Sequence, residues 1–321
     1  MSMTHTSFLV KQGVKNLFSG RPLCVSFEVT HECNARCKHC HLGGSIDEER
    51  AEPERFVEIC RQLQPVVIQV SGGEPLLRKD VEQIVKALHV PNRAPYVVFC
   101  TNAALLTREK FYSLRNAGVN EFSISLDYPD ERHDEFRHIP GLFRKLEKLA
   151  RELSSKDGMA ITLSCVVQRD NFRELLNIAE VALGWNLRIN FSTYTWMRTK
   201  DMLYMLTKED LPELRTIINR LLDLKKKNKR FFTSKYILNQ MYEFFENGGI
   251  PNCRAGERFF VVNPDATFSP CGLIMKNYKT QQDLLENFTK KNACGNCITS
   301  SRANSEKPLR YMLSDSLYKT N

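Results

Sequence analysis

No apolar run in the 321 residues approaches the length of a membrane-spanning helix, and the start, Met1-Ser2-Met3-Thr4-His5, has no basic region followed by an apolar core. Those absences argue against a membrane anchor or secretory leader, so the expected compartment is the cytoplasm. A chain this long can bury a large core, and without a leader its cysteines are not expected to form a disulfide framework. The formal charge of +9 is a weak pointer to an anionic partner. Its densest run, Lys225-Lys226-Lys227-Asn228-Lys229-Arg230, reads as the solvated end of a helix, favoured there by the macrodipole. No specific nucleic-acid partner is expected.

What is present is cysteine, eleven in all. Cys24, Cys60, Cys100 and Cys165 each stand singly among apolar residues and read as small buried hydrophobes. Cys33, Cys37, Cys40, Cys253, Cys271, Cys294 and Cys297 lie in polar, turn-rich segments and read as ligands.

The order of elements places them. Strand-like apolar runs at 23–29, 66–70, 96–100, 121–126, 160–167 and 187–192 alternate with helix-length segments near 53–62, 81–87, 108–117, 141–154 and 172–183. Such alternation predicts an α/β fold, a parallel sheet curled into a partial (β/α)6 TIM-like barrel, with function on the loops after the strands. The expected divisions are an amphipathic helix over 1–21, the barrel over 22–205, a helical connector over 206–251, a small cysteine-rich metal-binding domain over 252–300 and a polar tail over 301–321. The metal is expected to staple that small domain, whose apolar residues are too few to hold it alone.

Cys33-Asn34-Ala35-Arg36-Cys37-Lys38-His39-Cys40 puts three thiols on the loop after the first strand. Three cysteines can hold three irons of a four-iron cluster and leave the fourth open, or can hold zinc with His39 or His41 as fourth ligand. These residues alone leave both readings standing. The second strand ends in Ser71-Gly72-Gly73-Glu74-Pro75, where paired glycines allow close backbone approach and Glu74 supplies a carboxylate at the strand mouth.

The two motifs together resemble the radical S-adenosylmethionine superfamily, in motif order and strand count over about residues 22–195. The resemblance implies an open [4Fe-4S] cluster on Cys33, Cys37 and Cys40 that binds S-adenosylmethionine and cleaves it reductively to a 5′-deoxyadenosyl radical. It implies cofactor contacts from Gly72, Gly73 and Glu74, from Asn102 in Thr101-Asn102-Ala103, from Ser125 and Asp127 after the fourth strand, and from Arg137. Ala103 stands where the family has glycine. A surface ion pair with Asp134 or Glu135 is the other reading of Arg137, and solvent exposure that of His39 and His41.

Cys253 and Cys271 bracket a β-hairpin with its turn at residues 263–266, and Cys294-Gly295-Asn296-Cys297 adds a pair. Four thiols suit zinc or an iron–sulfur cluster. The pattern resembles the twitch-like form of the superfamily's SPASM region, which implies an auxiliary [4Fe-4S] cluster; Ala266 again replaces a glycine. The expected function is hydrogen abstraction from a peptide or small organic substrate, with oxidation through the auxiliary cluster and a donor such as flavodoxin or ferredoxin. Redox-neutral chemistry on an apolar lipid precursor, with membrane contact through the first helix, is one alternative. A zinc-stabilised binding module is another. A glycyl-radical activase is disfavoured because no ferredoxin-like cysteine insert stands beside the first cluster.

Overall fold

Each barrel strand is apolar enough to be buried, and most of the following helices present an apolar stripe to cover it. The helix at 81–88, for example, buries Val81, Ile84, Val85 and Leu88, at helical spacing. The structure, a computed structural model, describes residues 3–91, 93–153 and 155–312. Residues 313–321 of the expected tail and residues 1 and 2 of the expected first helix lie outside that range.

The order is α1 (Met3–Ser19), β1 (Cys24–Thr30), α2 (Pro53–Leu63), β2 (Val67–Gly72), α3 (Val81–Leu88), β3 (Tyr96–Thr101), α4 (Arg108–Ala117), β4 (Glu121–Ser125), α5 (Arg132–Arg137), α6 (Leu142–Glu152), α7 (Ser155–Gly158), β5 (Ile161–Val167), α8 (Leu175–Gly184) and β6 (Arg188–Thr193). Then come α9 (Leu211–Lys227), α10 (Lys235–Asn247), β7 (Phe259–Val262), β8 (Phe268–Ser269), α11 (Gln281–Asn287) and α12 (Ser300–Glu306). The six barrel strands start and stop within about two residues of the apolar runs that predict them. Strands β6 to β1 run in sequence order and in parallel, the arrangement of a partial TIM-like barrel.

One expectation needs correction, and one gains detail. The hairpin is part of the main sheet: β7 pairs in parallel with β1 from Cys24↔Phe259 to Phe27↔Val262, and β8 continues antiparallel. A bare β1 edge would leave a row of backbone groups unpaired beside the cysteine loop, and β7 satisfies them. The connector, in turn, is two helices. Between α9 and α10 residues 230–233 turn extended along β6, with Phe232 N–H donating to Ile189 O at 2.9 Å and Phe191 N–H to Thr233 Oγ1 at 2.8 Å. Ser234 then caps α10, accepting from Ile237 N–H.

The strands' starting end is sealed by Glu121, which takes Arg188 at 2.8 Å, Tyr96 at 3.1 Å and Thr162 at 2.8 Å. Helix α1 docks at that end too, where Asn16 Nδ2 donates to the carbonyls of Pro22 and Gln64. The last described helix closes the gap between β6 and β7. Thr193 donates to Ile298 O, Asn190 Nδ2 to Ser300 Oγ, and Ser301 Oγ to Gln69 Oε1 on β2. Arg302, fully buried, anchors this crossing by donating to the carbonyls of Cys297, Ile250 and Pro251 and to Glu306.

Candidate active site at the carboxyl end of the barrel

The cysteine loop leaves β1 and is held from three sides. Gly72 and Gly73 press against it so closely that a β-carbon on either would collide with the carbonyl oxygen of Thr30 or of Glu32. Gly73 N–H donates to Thr30 O at 2.7 Å and Glu74 N–H to Glu32 O at 2.8 Å. The close approach made by these glycines is thus to the cysteine loop. Gly73→Ala is expected to cost at least ~2 kcal/mol and to lower iron loading at the first cysteine site, checked by thermal melting and metal analysis.

Glu74 is fully buried, its carboxylate accepting from Thr101 Oγ1 at 2.7 Å, Asn102 N–H at 2.8 Å and Leu76 N–H at 3.2 Å. Burial pushes its carboxyl up, and those hydrogen bonds only partly reverse the shift. Asn102 Nδ2 passes the chain of contacts on to Asn34 Oδ1 at 2.8 Å, inside the cysteine loop. The motifs on the first three strand ends are therefore tied into one network. Ala103, where the sequence departs from glycine, has φ 61°, and Ala266 has φ 64°. Both alanines sit in the left-handed region, at a cost of about 1–2 kcal/mol each.

On the third side α5 meets the loop. Arg137 is buried, its Nε and Nη2 donating to Asp127 Oδ2 at 2.9 and 2.6 Å while Nη1 reaches Cys37 Sγ at 3.6 Å. Its partner is Asp127, not the surface carboxylates of Asp134 or Glu135. Asp127 is itself fully buried, with Oδ1 taken by Val166 N–H, so it positions Arg137 instead of lining the mouth. Burial pushes its carboxyl up, but Arg137 holds the group below the usual range. Ser125 lies partly accessible on the inward face of β4. His39, expected at the surface, is buried and stacks on Phe136 with ring centroids 5.0 Å apart; His41 is exposed. Arg198, in the loop after β6, reads from the sequence equally as a cavity-facing candidate and as a rim residue; its Nη1 donates to Cys40 Sγ at 3.2 Å. A lone arginine in Tyr194-Thr195-Trp196-Met197-Arg198 carries no spacing signal.

Cys33, Cys37 and Cys40 lie close enough for their charges to act on one another. Among the described residues no three His, Cys, Asp or Glu side chains close around a point suited to a single ion. Burial pushes the Cys33 thiol up to about 11, so loading a metal here must displace protons.

The second group of cysteines lies beside β1. Cys253 and Cys271 pack with Cys24 and Phe259, and Cys271 responds to the charges of Cys297 and Cys253. The Cys294–Cys297 loop is fixed by Ile250 N–H to Gly295 O at 2.7 Å, Asn292 Nδ2 to Cys253 O at 2.7 Å and Thr195 Oγ1 to Asn296 O at 2.6 Å. Burial raises Cys253 to about 11 and Cys271 to about 12.

The family model of the radical SAM superfamily matches residues 27–182. Residues 27–182 thus match a radical SAM domain. AdoMet-dependent heme synthase of Oleidesulfovibrio alaskensis is 30% identical over 190 residues, 54% of this chain and 47% of the relative. PqqA peptide cyclase of Bradyrhizobium diazoefficiens is 27% identical over 78% of this chain and 67% of its own length. The chain thus spans about half the length of the heme synthase. The solved structure of Streptococcus suis SuiB bound to S-adenosylmethionine superposes with TM-score 0.65 at 18% identity, over 86% of this chain and 68% of that one, and SuiB bound to precursor peptide SuiA with 0.64 at 17% identity, over 86% and 67%. These two establish the shared fold.

A radical SAM domain works with a [4Fe-4S] cluster and S-adenosylmethionine. The residues fit the cluster: three thiols on one short loop, with Cys37 and Cys40 each met by a guanidinium donor. Gln168 after β5 has both amide atoms buried without a hydrogen-bond partner.

The radical SAM domain should be acid-sensitive. Burial pushes the His133 ring, with Nδ1 accepting from Asp127 N–H, down to about 3. In the unfolded chain it titrates near ~6.5, so below that pH the unfolded state takes up a proton that the folded state refuses. Stability then falls with pH by ~1.4 kcal/mol per unit for this ring. Buried His39 adds in the same direction, while Glu74, raised by burial, opposes it. Melting temperature should drop between about pH 6.5 and 5, less steeply in His133→Asn; equal slopes would refute the assignment.

Proposed function

We propose that this protein oxidises a residue of a peptide substrate by radical chemistry. When bound, the cluster and S-adenosylmethionine supply a 5′-deoxyadenosyl radical, and the chain's own residues position the partners and exclude water. The reading is supported by the packing of Cys253 and Cys271 beside the start of β1, by the bond from Thr195 to Asn296 that ties the Cys294–Cys297 loop to the end of β6, and by Arg198, which bonds Cys40 and faces Gly272. Four thiols suit a fully ligated auxiliary cluster able to accept an electron. A substrate that gives up a hydrogen atom, then an electron and a proton, loses two hydrogens in all. Cys253, Cys271, Cys294 and Cys297 would hold a cluster that could take up that electron and hand it to a one-electron carrier of the flavodoxin or ferredoxin kind. The names of PqqA peptide cyclase and of SuiB with its precursor peptide support the peptide class. Helix α1 docks at the opposite end of the barrel from Cys33, Cys37 and Cys40, so no observation favours a lipid substrate.

The test is anaerobic reconstitution and reduction, then incubation with S-adenosylmethionine and a peptide library. Formation of 5′-deoxyadenosine with loss of two hydrogens from a peptide is the expected result. Zinc in place of iron, or cofactor cleavage that leaves every peptide mass unchanged, would overturn the reading.

A further inference from the structure

Arg198 bonds a cysteine of the first site and faces the residue that follows Cys271 of the second. One edge of its guanidinium donates to Cys40 Sγ at 3.2 Å. The other faces Gly272, the residue after Cys271, where a β-carbon would lie 3.8 Å from Arg198 Nη2 and 3.1 Å from Glu28 Oε1. Glycine at 272 therefore keeps the space between the guanidinium and the second site free of any side chain. The charge of Arg137 is matched by Asp127 at 2.6 Å, whereas Arg198 makes no ion pair within 4.0 Å among the described residues. A guanidinium keeps its charge in a protein. A fixed positive charge thus stands between two sets of thiols.

Hydrogen bonds to ligating sulfurs and net local charge are main levers on an iron–sulfur potential. Resting on the iron–sulfur reading of both sites, we propose that Arg198 is a positioning residue that sets the redox poise of both clusters, its one guanidinium donating to Cys40 and facing Cys271. A positive charge stabilises the more reduced, more negative state of each cluster and so raises its potential. The effect is larger at Cys40, where there is a direct bond, and smaller at Cys271, where the guanidinium only faces the backbone.

The full chain, loaded with iron anaerobically, is titrated against potential with both clusters followed by electron paramagnetic resonance. In Arg198→Met and Arg198→Gln the reduced-to-oxidised ratio of the first cluster at a fixed potential should fall about tenfold, ~59 mV for one electron. The auxiliary cluster should move the same way by less, and Arg198→Lys should stay within about threefold of the wild type because the charge remains. Unchanged potentials in iron-replete Arg198→Met overturn the proposal. So does Arg198→Gln at the wild-type value, which would show that the charge is not the agent. Loss of iron from all three variants overturns it as well, making Arg198 a folding residue. Failure of the wild-type chain to form clusters is read first and refutes the radical reading itself.

Discussion

Cys37→Ala is expected to reduce 5′-deoxyadenosine formation to below about one per cent of the wild-type rate and to remove about four irons per chain. Cys37 is the central thiol of the loop and the one met by Arg137, at 3.6 Å. Without it two thiols remain, too few to hold a cluster with one open iron. The loop itself should survive, because its anchors are Gly73, Glu74 and Asn102, none of which needs the thiol. Melting should therefore change little while cofactor cleavage disappears. Cys271→Ala should instead remove the auxiliary iron and spare some cleavage. Cleavage by Cys37→Ala above about a tenth of the wild-type rate would place the reactive centre elsewhere.

Asp127→Ala should be the most destabilising single change near the site, by about 3–5 kcal/mol. The carboxylate is fully buried, and its removal strands the guanidinium of Arg137 in a place water does not reach. It also strips Val166 N–H of its acceptor on β5. Because Arg137 is the contact between α5 and Cys37, iron loading should fall along with stability. Asp127→Asn keeps the shape and loses the charge, so it should fall between alanine and wild type. Chemical denaturation and iron content decide it; a loss below about 1 kcal/mol in Asp127→Ala would mean that Arg137 finds another partner.

The barrel was legible because its strands are apolar runs of the right length and its helices carry apolar stripes at helical spacing, both local properties. The cysteine loop and the Gly72-Gly73-Glu74 turn were legible as motifs, since their spacing is short and their residue types are chemically particular. Their wiring was not. That Asp127 would be consumed by Arg137 ten residues on, or that Glu74 would brace Asn102, depends on which strand ends become neighbours. The break between the two helices of the connector has the same cause. Phe231, Phe232 and Thr233 turn extended to satisfy the edge of β6, a demand invisible from the segment itself. The placement of β7 beside β1 and the reach of Arg198 to Cys40 are longer-range still, with 158 residues between the latter pair.

The closing crossing also sets a timetable. Ser301 meets Gln69 across 232 residues of chain, and β7 reaches β1 only after nearly the whole barrel has been made. At a synthesis rate of ~5–20 residues per second, on the order of 10–50 s separate the emergence of the cysteine loop from the arrival of the segment that encloses it. Through that interval β1 has one unpaired edge, exposed to aggregation as well as to whatever machinery delivers iron. Speed of translation between the cysteine loop and Ser301 should thus govern how much of the protein is born metallated and how much is lost to aggregates.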